Sequence, residues 1–464
     1  MPAQTQPARG MRDFLPADVR RREYVIGKIK EVYERYGFEP LETPAVENIE
    51  TLMGKYGEEG NQLIFKILKR GAHETTGEAD LALRYDLTVP LARVVAEHQA
   101  QLPKFFKRYQ IQPVWRADRP ARGRFREFYQ CDVDVLGSRA QTIEAELCAA
   151  ASDALTQLGF TKFVVRLNHR QVLRGVLDQS EIAAAQQSDA LIALDKLDKV
   201  GPSGVMQEFA ARGIDPSTGE RLLALFEGVA RLSDAAEIVA GESPESERAA
   251  FNQATLGRLV EFIGGHEAGA RGLDELRMIL QFAAASGIES CIKIDPSLAR
   301  GLSYYTGAIM EISVPDLAGS LGGGGRYDDL VGMFLGQQIP ACGFSLGLER
   351  IIVVMTERGM FPSDLTRAAA DVMVAIWDES SIADSLQLAR ELRAAGLRVD
   401  LYPEPDKVGK QFKYAASRGV RFVAVIGPEE RERGEVALKD MQSGEQQRLP
   451  RNSVAATVRN ALGQ

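Results

Sequence analysis

The sequence is poor in cysteine and histidine and contains no long apolar run. Its 464 residues include four cysteines and four histidines, which are scattered and show neither a CxxC nor an HExxH spacing. We therefore expect no disulfide framework and no structural zinc site, and spacing assigns no metal ligand. The first residues lack the apolar core of a signal peptide and no segment reaches the length of a membrane span, so we expect a cytoplasmic protein.

Basic residues are outnumbered by acidic ones. Lysine and arginine total 56 against 64 aspartates and glutamates, which gives a formal net charge of -8. An acidic chain binds a polyanion only through local basic patches, so a module that only binds nucleic acid is disfavoured. At about 150 residues per domain the length predicts roughly three domains. A hydrophobic content of 45% is sufficient for a large core.

The composition changes along the chain, and these changes predict separate parts. Residues 1–179 mix strand and helix patterns, residues 180–285 are rich in Ala, Leu and Glu with a helical period, and glycine-rich, β-like character returns over 286–362. From 371 to 464 strands alternate with helices, which is typical of a small α/β domain. Its last strand is predicted at EVALKDM, residues 435–441.

The stretch VWRADRPARGRFREFYQ, residues 114–130, carries five arginines. Alternation of polar and apolar residues predicts two antiparallel strands, 105–116 and a second from 124, joined by a loop. The predicted polar face carries Arg108, Gln110, Gln112, Arg116, Arg124, Gln130, Asp132 and Asp134. Cations, amides and carboxylates on one face suit a zwitterionic small molecule together with a polyphosphate. A solvated face with surface ion pairs is the alternative that the pattern leaves open.

Two further segments favour a binding site without proving one. Asp86 and Thr88 stand two residues apart in LRYDLTVP, which predicts one shared strand face where a carboxylate and a hydroxyl could hold an ammonium group. GFSLGLER predicts a strand that enters a helix with Arg350 in its first turn. A cation at that end of a helix is costly unless an anion lies nearby. The glycine run in GGGGRYDDLV, residues 322–331, predicts a tight turn.

Together these segments resemble the histidyl-tRNA synthetases, a family of class II aminoacyl-tRNA synthetases, over nearly the whole chain. GRFREFYQCDVDVLG resembles class II motif 2, GFSLGLER resembles motif 3, and ARGLSYYTG resembles a histidine-specific signature. YGFEPLETPAVEN is similar to motif 1, and the resemblance begins at GMRDFLP. One position departs from the family pattern, because Ser303 stands where the signature usually has Asp.

The resemblance implies the fold, the domains and the reaction. It implies an α+β fold with an antiparallel sheet flanked by helices, a catalytic domain in two parts (1–179 and 286–362), a helical insertion (180–285) and an α/β anticodon-binding domain (371–464). It implies a histidine–tRNA ligase, which makes histidyl-adenylate from histidine and ATP and then charges tRNA-His. Mg²⁺ would accompany ATP, and motif 1 implies a homodimer.

The resemblance also implies which residues bind the small substrates. Those expected to bind ATP are Arg116, Asp118, Arg124, Phe128 and Arg350. Those expected to bind histidine are Asp86, Thr88, Gln130, Asp134, Arg300, Tyr304 and Tyr305. Arg116 would contact the α-phosphate and Arg300 would lie between that phosphate and the amino acid carboxylate, so these two are the candidate catalytic residues.

Two basic groups are candidates for tRNA contacts. Arg119 and Arg122 lie in the motif 2 loop, where they would reach the acceptor end. The C-terminal domain has a basic run that would contact the tRNA backbone, represented by Lys407, Lys410 and Lys413. A solvated helix face is the alternative for this second group.

Two rival functions come from related proteins. Regulatory subunits of ATP phosphoribosyltransferase resemble these synthetases but do not charge tRNA, typically lack the C-terminal domain and have lost motif arginines. Here Arg116, Arg124, Arg300 and Arg350 are all present. Synthetases for proline, threonine or glycine share the C-terminal domain, but ARGLSYYTG and Asp134 disfavour them.

Overall fold

The structure is a computed structural model that divides into two compact units, Met1–Phe361 and Pro362–Gln464. It describes residues 5–71, 76–194, 196–235, 245–299, 304–315, 317, 319–366 and 369–463. Arg300 and Ser303 lie outside the described residues. None of the helices in the described part of the chain combines the length and apolar character that a bilayer crossing requires.

Eleven strands of the first unit are described. In chain order they are β1 (Glu39–Pro40), β2 (Val46–Asn48), β3 (Lys66–Leu68), β4 (Ala79–Leu83), β5 (Phe106–Trp115), β6 (Glu127–Leu136), β7 (Val164–His169), β8 (Ile292–Ile294), β9 (Ala308–Ser313), β10 (Gly322–Arg326) and β11 (Ala341–Gly347). Eight form the sheet β1-β5-β6-β11-β10-β9-β7-β8, in which only the β1–β5 and β7–β8 pairs are parallel. The order β2-β4-β3 makes a small second sheet.

The described helices of this unit are α1 (Pro16–Arg35), α2 (Ile49–Leu52), α3 (Gly57–Gln62), α4 (Thr88–His98), α5 (Thr142–Gln157), α6 (Arg170–Gln179), α7 (Gln187–Leu194), α8 (Leu197–Ala211), α9 (Pro216–Ala235), α10 (Glu245–Ile263), α11 (Glu267–Ala285), α12 (Gly332–Leu335) and α13 (Leu348–Glu357). Helices α1, α5 and α13 pack on one face of the large sheet and enclose the main core. An antiparallel-rich sheet flanked by helices is the α+β fold that the resemblance implies.

Strands β5 and β6 confirm the predicted hairpin, but β6 begins at Glu127, so Arg124, which was predicted on its polar face, lies in the preceding loop. Tyr109, Cys131 and Val133 point into the apolar core beneath α1 and α5. The alternate residues form the opposite, polar face of the sheet, where Arg108 pairs with Asp134 and Gln110 with Asp132 across the two strands. Because successive side chains of a strand point to opposite faces, one pair of strands supplies both core and site.

The predicted turn at the glycine run is wrong. Gly322–Arg326 is strand β10, paired with β9 on one side and β11 on the other. A β-carbon on Gly324 would lie 2.1 Å from the carbonyl oxygen of Gly343, so glycine is required by close backbone approach. A repeat of glycines has no side-chain alternation, and the pattern therefore concealed the strand.

The predicted strand face for Asp86 and Thr88 is also wrong. Strand β4 ends at Leu83, Asp86 lies in the connecting loop, and Thr88 is the first residue of α4. Asp86 accepts a hydrogen bond from the backbone N–H of Val89 at 3.0 Å. The Asp86 carboxylate therefore caps the start of a helix rather than standing on a strand.

The second unit is a five-stranded sheet with helices. Its elements are β12 (Val372–Ala375), α14 (Ile382–Ala394), β13 (Val399–Leu401), α15 (Val408–Ser417), β14 (Phe422–Val425), α16 (Pro428–Arg433), β15 (Glu435–Asp440), β16 (Gln446–Pro450) and α17 (Val454–Leu462). The order is β13-β12-β14-β15-β16, with β12 parallel to both neighbours and the last two pairs antiparallel. The predicted last strand, β15, is followed by β16, an exposed edge strand whose polar sequence gave no apolar signal.

We expect Gly324→Ala to lower the free energy of unfolding by on the order of 1–3 kcal/mol, because the new methyl group must displace backbone in a packed sheet. Chemical denaturation measures this change. Gly27→Ala is the matched control, since nothing lies within 4 Å of its β-carbon position on α1. That substitution should raise stability by roughly 0.5–1 kcal/mol. Wild-type stability in Gly324→Ala would contradict the close packing.

Candidate functional site

The floor of the candidate site is the polar face of β5, β6 and β11. Arg108, Gln110, Asp132 and Asp134 are at most 2% exposed. The register places Gly343 opposite Asp134 and Ser345 opposite Asp132. Buried charged groups are costly unless they are paired, so the partners of each carboxylate decide what this floor can bind.

Asp134 has two close partners. Its Oδ2 lies 2.7 Å from Nη2 of Arg108 in an ion pair that lacks hydrogen-bond geometry, and the Tyr327 hydroxyl donates a hydrogen bond to Oδ1. A β-carbon at Gly343 would lie 1.8 Å from Oδ1 of Asp134, so the glycine makes room for the carboxylate. Burial raises the pKa of Asp134 while Arg108 and Tyr327 lower it.

Asp132 is less well compensated. Its Oδ2 lies 3.9 Å from Nη2 of Arg108, and its buried Oδ1 has no hydrogen-bond partner. One guanidinium thus lies between two carboxylates and sits closer to Asp134. Burial raises the pKa of Asp132 to about 7; Arg108 opposes this shift, the charge of Asp134 adds to it, and the hydroxyl of Ser345 lowers it.

Gln130 continues the same face of β6. Its Nε2 donates to the Ser345 hydroxyl at 3.1 Å, whereas its buried Oε1 has no partner. A buried amide oxygen normally accepts a hydrogen bond, so this atom is available to an N–H donor of a ligand.

Asp86 forms the side wall. It accepts hydrogen bonds from the Tyr56 hydroxyl at 3.0 Å and from the Tyr304 hydroxyl at 3.1 Å, in addition to the N–H of Val89. Burial raises the pKa of Asp86, and the hydrogen bonds together with the charge of Arg116 oppose that shift. The Tyr305 ring lies 5.1 Å from that of Tyr304, and burial raises the pKa of its hydroxyl.

Cations are arranged around the upper part of the site. The guanidinium carbon of Arg116 lies 4.3 Å from the centre of the Tyr85 ring and 5.2 Å from that of Phe128. Its Nε donates a hydrogen bond to the Tyr85 carbonyl at 3.0 Å, and this contact does not use the two terminal nitrogens of the guanidinium group. Fixed guanidinium groups in this setting suit phosphate oxygens.

Arg124 and Arg350, two further arginines predicted to bind ATP, have protein partners. Nη2 of Arg124 lies 2.7 Å from Oδ1 of Asp118, and Arg350 donates to the carbonyl of Ser320. A β-carbon on Gly123 would lie 3.2 Å from the Arg350 side chain, so the motif 2 loop passes close to α13.

The two loop arginines differ in their surroundings. Arg122 forms an exposed ion pair with Glu357 at the end of α13, whereas Arg119 is an exposed residue of the same loop. In the second unit Lys407, Lys410 and Lys413 are all exposed, and Lys410 pairs with Asp406 at 3.0 Å.

Several residues of the site had no role predicted from the sequence, and three of them contact its carboxylates or are such carboxylates themselves. Arg108 and Asp132 were placed on the polar face by alternation, but nothing in the pattern distinguished them from solvated residues. Tyr327 lies in the segment that was predicted as a turn, so nothing in the sequence pattern indicated its contact with Asp134. Among the described residues, no group of three or more His, Cys, Asp or Glu side chains is placed to hold a metal ion.

Comparison with protein families identifies two regions. Residues 10–351 match the histidyl-tRNA synthetase family model, and residues 371–461 match the anticodon-binding domain model. Together these matches cover nearly all of the chain.

Similar proteins agree with these matches. A histidine–tRNA ligase of Gloeobacter violaceus is 42% identical over 95% of both chains, and one of Porphyromonas gingivalis is 42% identical over 98% of both. The crystal structure of a histidyl-tRNA synthetase from Nostoc covers 99% of this chain and 100% of its own, with a TM-score of 0.77 at 31% identity.

We expect Asp132→Asn to stabilise the ligand-free protein at pH 8 but not at pH 5. A pKa raised to about 7 means that the native state holds this proton more tightly than the unfolded chain, where the pKa is about 3.9. Stability should therefore fall as pH rises from about 4 to 7, and above 7 the full cost of the buried charge is present.

Thermal unfolding at the two pH values measures the effect, which should be on the order of 1–3 kcal/mol at pH 8. Asp153→Asn is the control, because Asp153 is exposed and bonded to the Tyr36 hydroxyl. If Asp132→Asn loses stability equally at both pH values, the assigned cost of the charge is wrong.

Proposed function

The chain belongs to the histidyl-tRNA synthetase family, and from this premise we propose how its pocket carries out the reaction. The reaction is that of a histidine–tRNA ligase, in which histidine and ATP give histidyl-adenylate and pyrophosphate before histidine is transferred to tRNA-His. The single observation that best supports our residue assignments is the buried carboxylate and amide floor beneath a set of arginines.

We propose that the floor binds histidine. Asp86, Thr88 and Gln130 receive the α-ammonium group, which is supported by the unpartnered Oε1 of Gln130 and the buried Asp86 carboxylate. Asp134 and Tyr305 bind the imidazole. Tyr304 contributes to histidine binding indirectly, because its hydroxyl donates a hydrogen bond that positions the Asp86 carboxylate.

ATP binds above the floor in this proposal. Arg116 contacts the α-phosphate, and its fixed position between two aromatic rings supports that role. Phe128 stacks on adenine and Asp118 accepts the adenine amino group. Arg124 and Arg350 hold the outer phosphates, and Mg²⁺ arrives with the triphosphate, bound mainly by its oxygens.

The chemistry requires positioning and positive charge. The histidine carboxylate attacks the α-phosphorus, the bond to the bridging oxygen breaks, and pyrophosphate leaves. Two anions must meet in this step, so Arg116 and the candidate Arg300 stabilise charge on the phosphate oxygens. The terminal ribose hydroxyl of the tRNA then attacks the acyl carbon and AMP leaves. No side chain is required as a nucleophile.

Selectivity for histidine follows from burial in this assignment. An amino acid without ring nitrogens would give up the proposed hydrogen bonds to Asp134 and Tyr305, and the carboxylate of Asp134 would keep only Arg108 and Tyr327 as partners. Each buried polar group left unpaired typically costs about 1–3 kcal/mol. An apolar amino acid of similar size therefore binds more weakly, because each lost hydrogen bond adds to the free-energy cost of its complex.

The remaining assignments concern the larger assembly. We propose catalytic parts at 1–179 and 286–362, a helical insertion at 180–285 and an anticodon-binding domain at 371–464. Arg119 and Arg122 contact the acceptor end, and Lys407, Lys410 and Lys413 contact the tRNA backbone. The motif 1 segment supports a homodimer, and the need for tRNA, ATP and histidine supports a cytoplasmic location.

We expect ATP–pyrophosphate exchange, run without tRNA, to depend on histidine alone among the twenty amino acids. Asp134→Asn should raise the KM for histidine roughly 10- to 100-fold, because it weakens a charge-assisted hydrogen bond in a buried site. Asp153→Asn should leave KM unchanged. Histidine binding without any exchange would favour the regulatory-subunit alternative, and exchange with another amino acid would refute the assigned pocket.

We expect the double substitution of Lys407 and Lys413 by Ala to raise the KM for tRNA roughly 3- to 30-fold and to reduce its salt dependence, since about two phosphate contacts are lost. Exchange with histidine should be unaffected. Lys30→Ala, at an exposed position on α1, is the control for loss of a single surface lysine. Unaltered charging by the double variant would mean that these lysines form only a solvated surface.

A further inference from the structure

Asp132 lies between the two residues of β6 to which the proposed function assigns histidine. Gln130 and Asp134 are two positions away on either side, so all three share the buried face of the strand. Asp132 is 2% exposed and its Oδ1 has no hydrogen-bond partner. Buried carboxylate oxygens normally accept hydrogen bonds, so this atom is directed at a donor that the ligand must supply.

Few groups near Asp132 could donate a hydrogen bond to its Oδ1. The titratable and charged groups near it are Arg108 from β5, Asp134 from β6, Arg84 and Asp86 from the segment after β4, Tyr305, and, on the opposite face of the sheet, Tyr33 from α1. The Ser345 hydroxyl of β11 forms a hydrogen bond with the carboxylate, and Oδ1 is still without a partner. Arg108 lies 3.9 Å away and is closer to Asp134. Arg84 is engaged by the backbone carbonyls of Thr43 and Pro113.

We propose that Asp132 determines specificity by accepting a hydrogen bond from the imidazole ring, so that Asp132 and Asp134 together bind histidine with one proton more than its neutral form carries. A neutral imidazole has one N–H donor and one acceptor nitrogen. Facing two ionised carboxylates, its acceptor nitrogen would meet an acceptor oxygen. The added proton resolves that conflict, whether it resides on the ring or on Asp132. In the complex that we propose, the Tyr305 hydroxyl, which the proposed function assigns to the imidazole, accepts from the same ring N–H as Asp132.

The raised pKa of Asp132 supports the same conclusion, because a buried carboxylate with an incomplete set of partners readily gains a proton. Formation of the complex then takes one proton from solvent when histidine and Asp132 are both mainly deprotonated. This condition holds near pH 8, since free imidazole has a pKa of about 6.5. The inference rests on the proposed binding of histidine to this floor.

Calorimetric titration of histidine into the full-length protein at pH 8, in phosphate and in Tris, measures proton uptake. The two buffers differ in ionisation enthalpy, so uptake appears as a difference in observed binding enthalpy. We expect close to one proton per histidine for the wild type. Asp132→Asn should lose most of this uptake and bind histidine on the order of 10- to 100-fold more weakly. Asp153→Asn should behave as the wild type.

The outcomes separate this inference from the proposed function. Histidine that binds without proton uptake, or equal uptake by wild type and Asp132→Asn, overturns the role of Asp132 and leaves the histidine site standing. Failure of histidine to bind overturns the proposed site and this inference with it. If Asp132→Asn does not fold by circular dichroism, the wild type decides alone through the pH dependence of its dissociation constant between pH 6 and 9. A constant value over that range contradicts the inference.

Discussion

Arg108 holds two buried carboxylates, and the arrangement of the pocket depends on that shared guanidinium. Without it, Asp132 and Asp134, which lie side by side on one face of β6, would lose their closest cation, and burial would favour protonation of both. Strand pairing sets the geometry, since Arg108 lies directly opposite Asp134. The same two strands direct Tyr109 and Val133 into the core, so the charged floor is as rigid as the hydrophobic layer behind it.

The groups proposed to bind the two substrates differ in charge. Carboxylates and amide oxygens predominate on the floor, where Arg108 partly offsets them, whereas Arg116, proposed to bind phosphate, lies against the rings of Tyr85 and Phe128. In the proposed assignment an amino acid enters with its cationic groups downwards and its carboxylate upwards, towards the phosphate that it attacks. The fixed charges of the site then orient the two reactants, and little rearrangement of the protein is needed.

Elements with a strong side-chain pattern could be predicted from the sequence, and those formed by backbone approach could not. Alternation gave β5, β6 and their polar face correctly except at Arg124, which lies in the loop before β6. The motif 3 segment was correctly predicted as a strand that enters α13. The glycine strand β10 was missed because glycine has no side chain to alternate. Asp86 was misplaced because a residue spacing of two fits a helix-capping loop as well as a strand. The contact between Tyr327 and Asp134 joins residues 193 apart in sequence, and no local pattern encodes it.

The close approach of Gly343 to Asp134 makes the two positions evolutionarily interdependent. With a β-carbon position only 1.8 Å from the carboxylate oxygen, no larger residue at 343 is compatible with Asp134 as it stands. The carbonyl of Gly343 in turn leaves no room for a side chain at Gly324. Redesign of this pocket for another amino acid is therefore an epistatic problem, in which the glycines of two neighbouring strands restrict which acids can be reached by single substitutions.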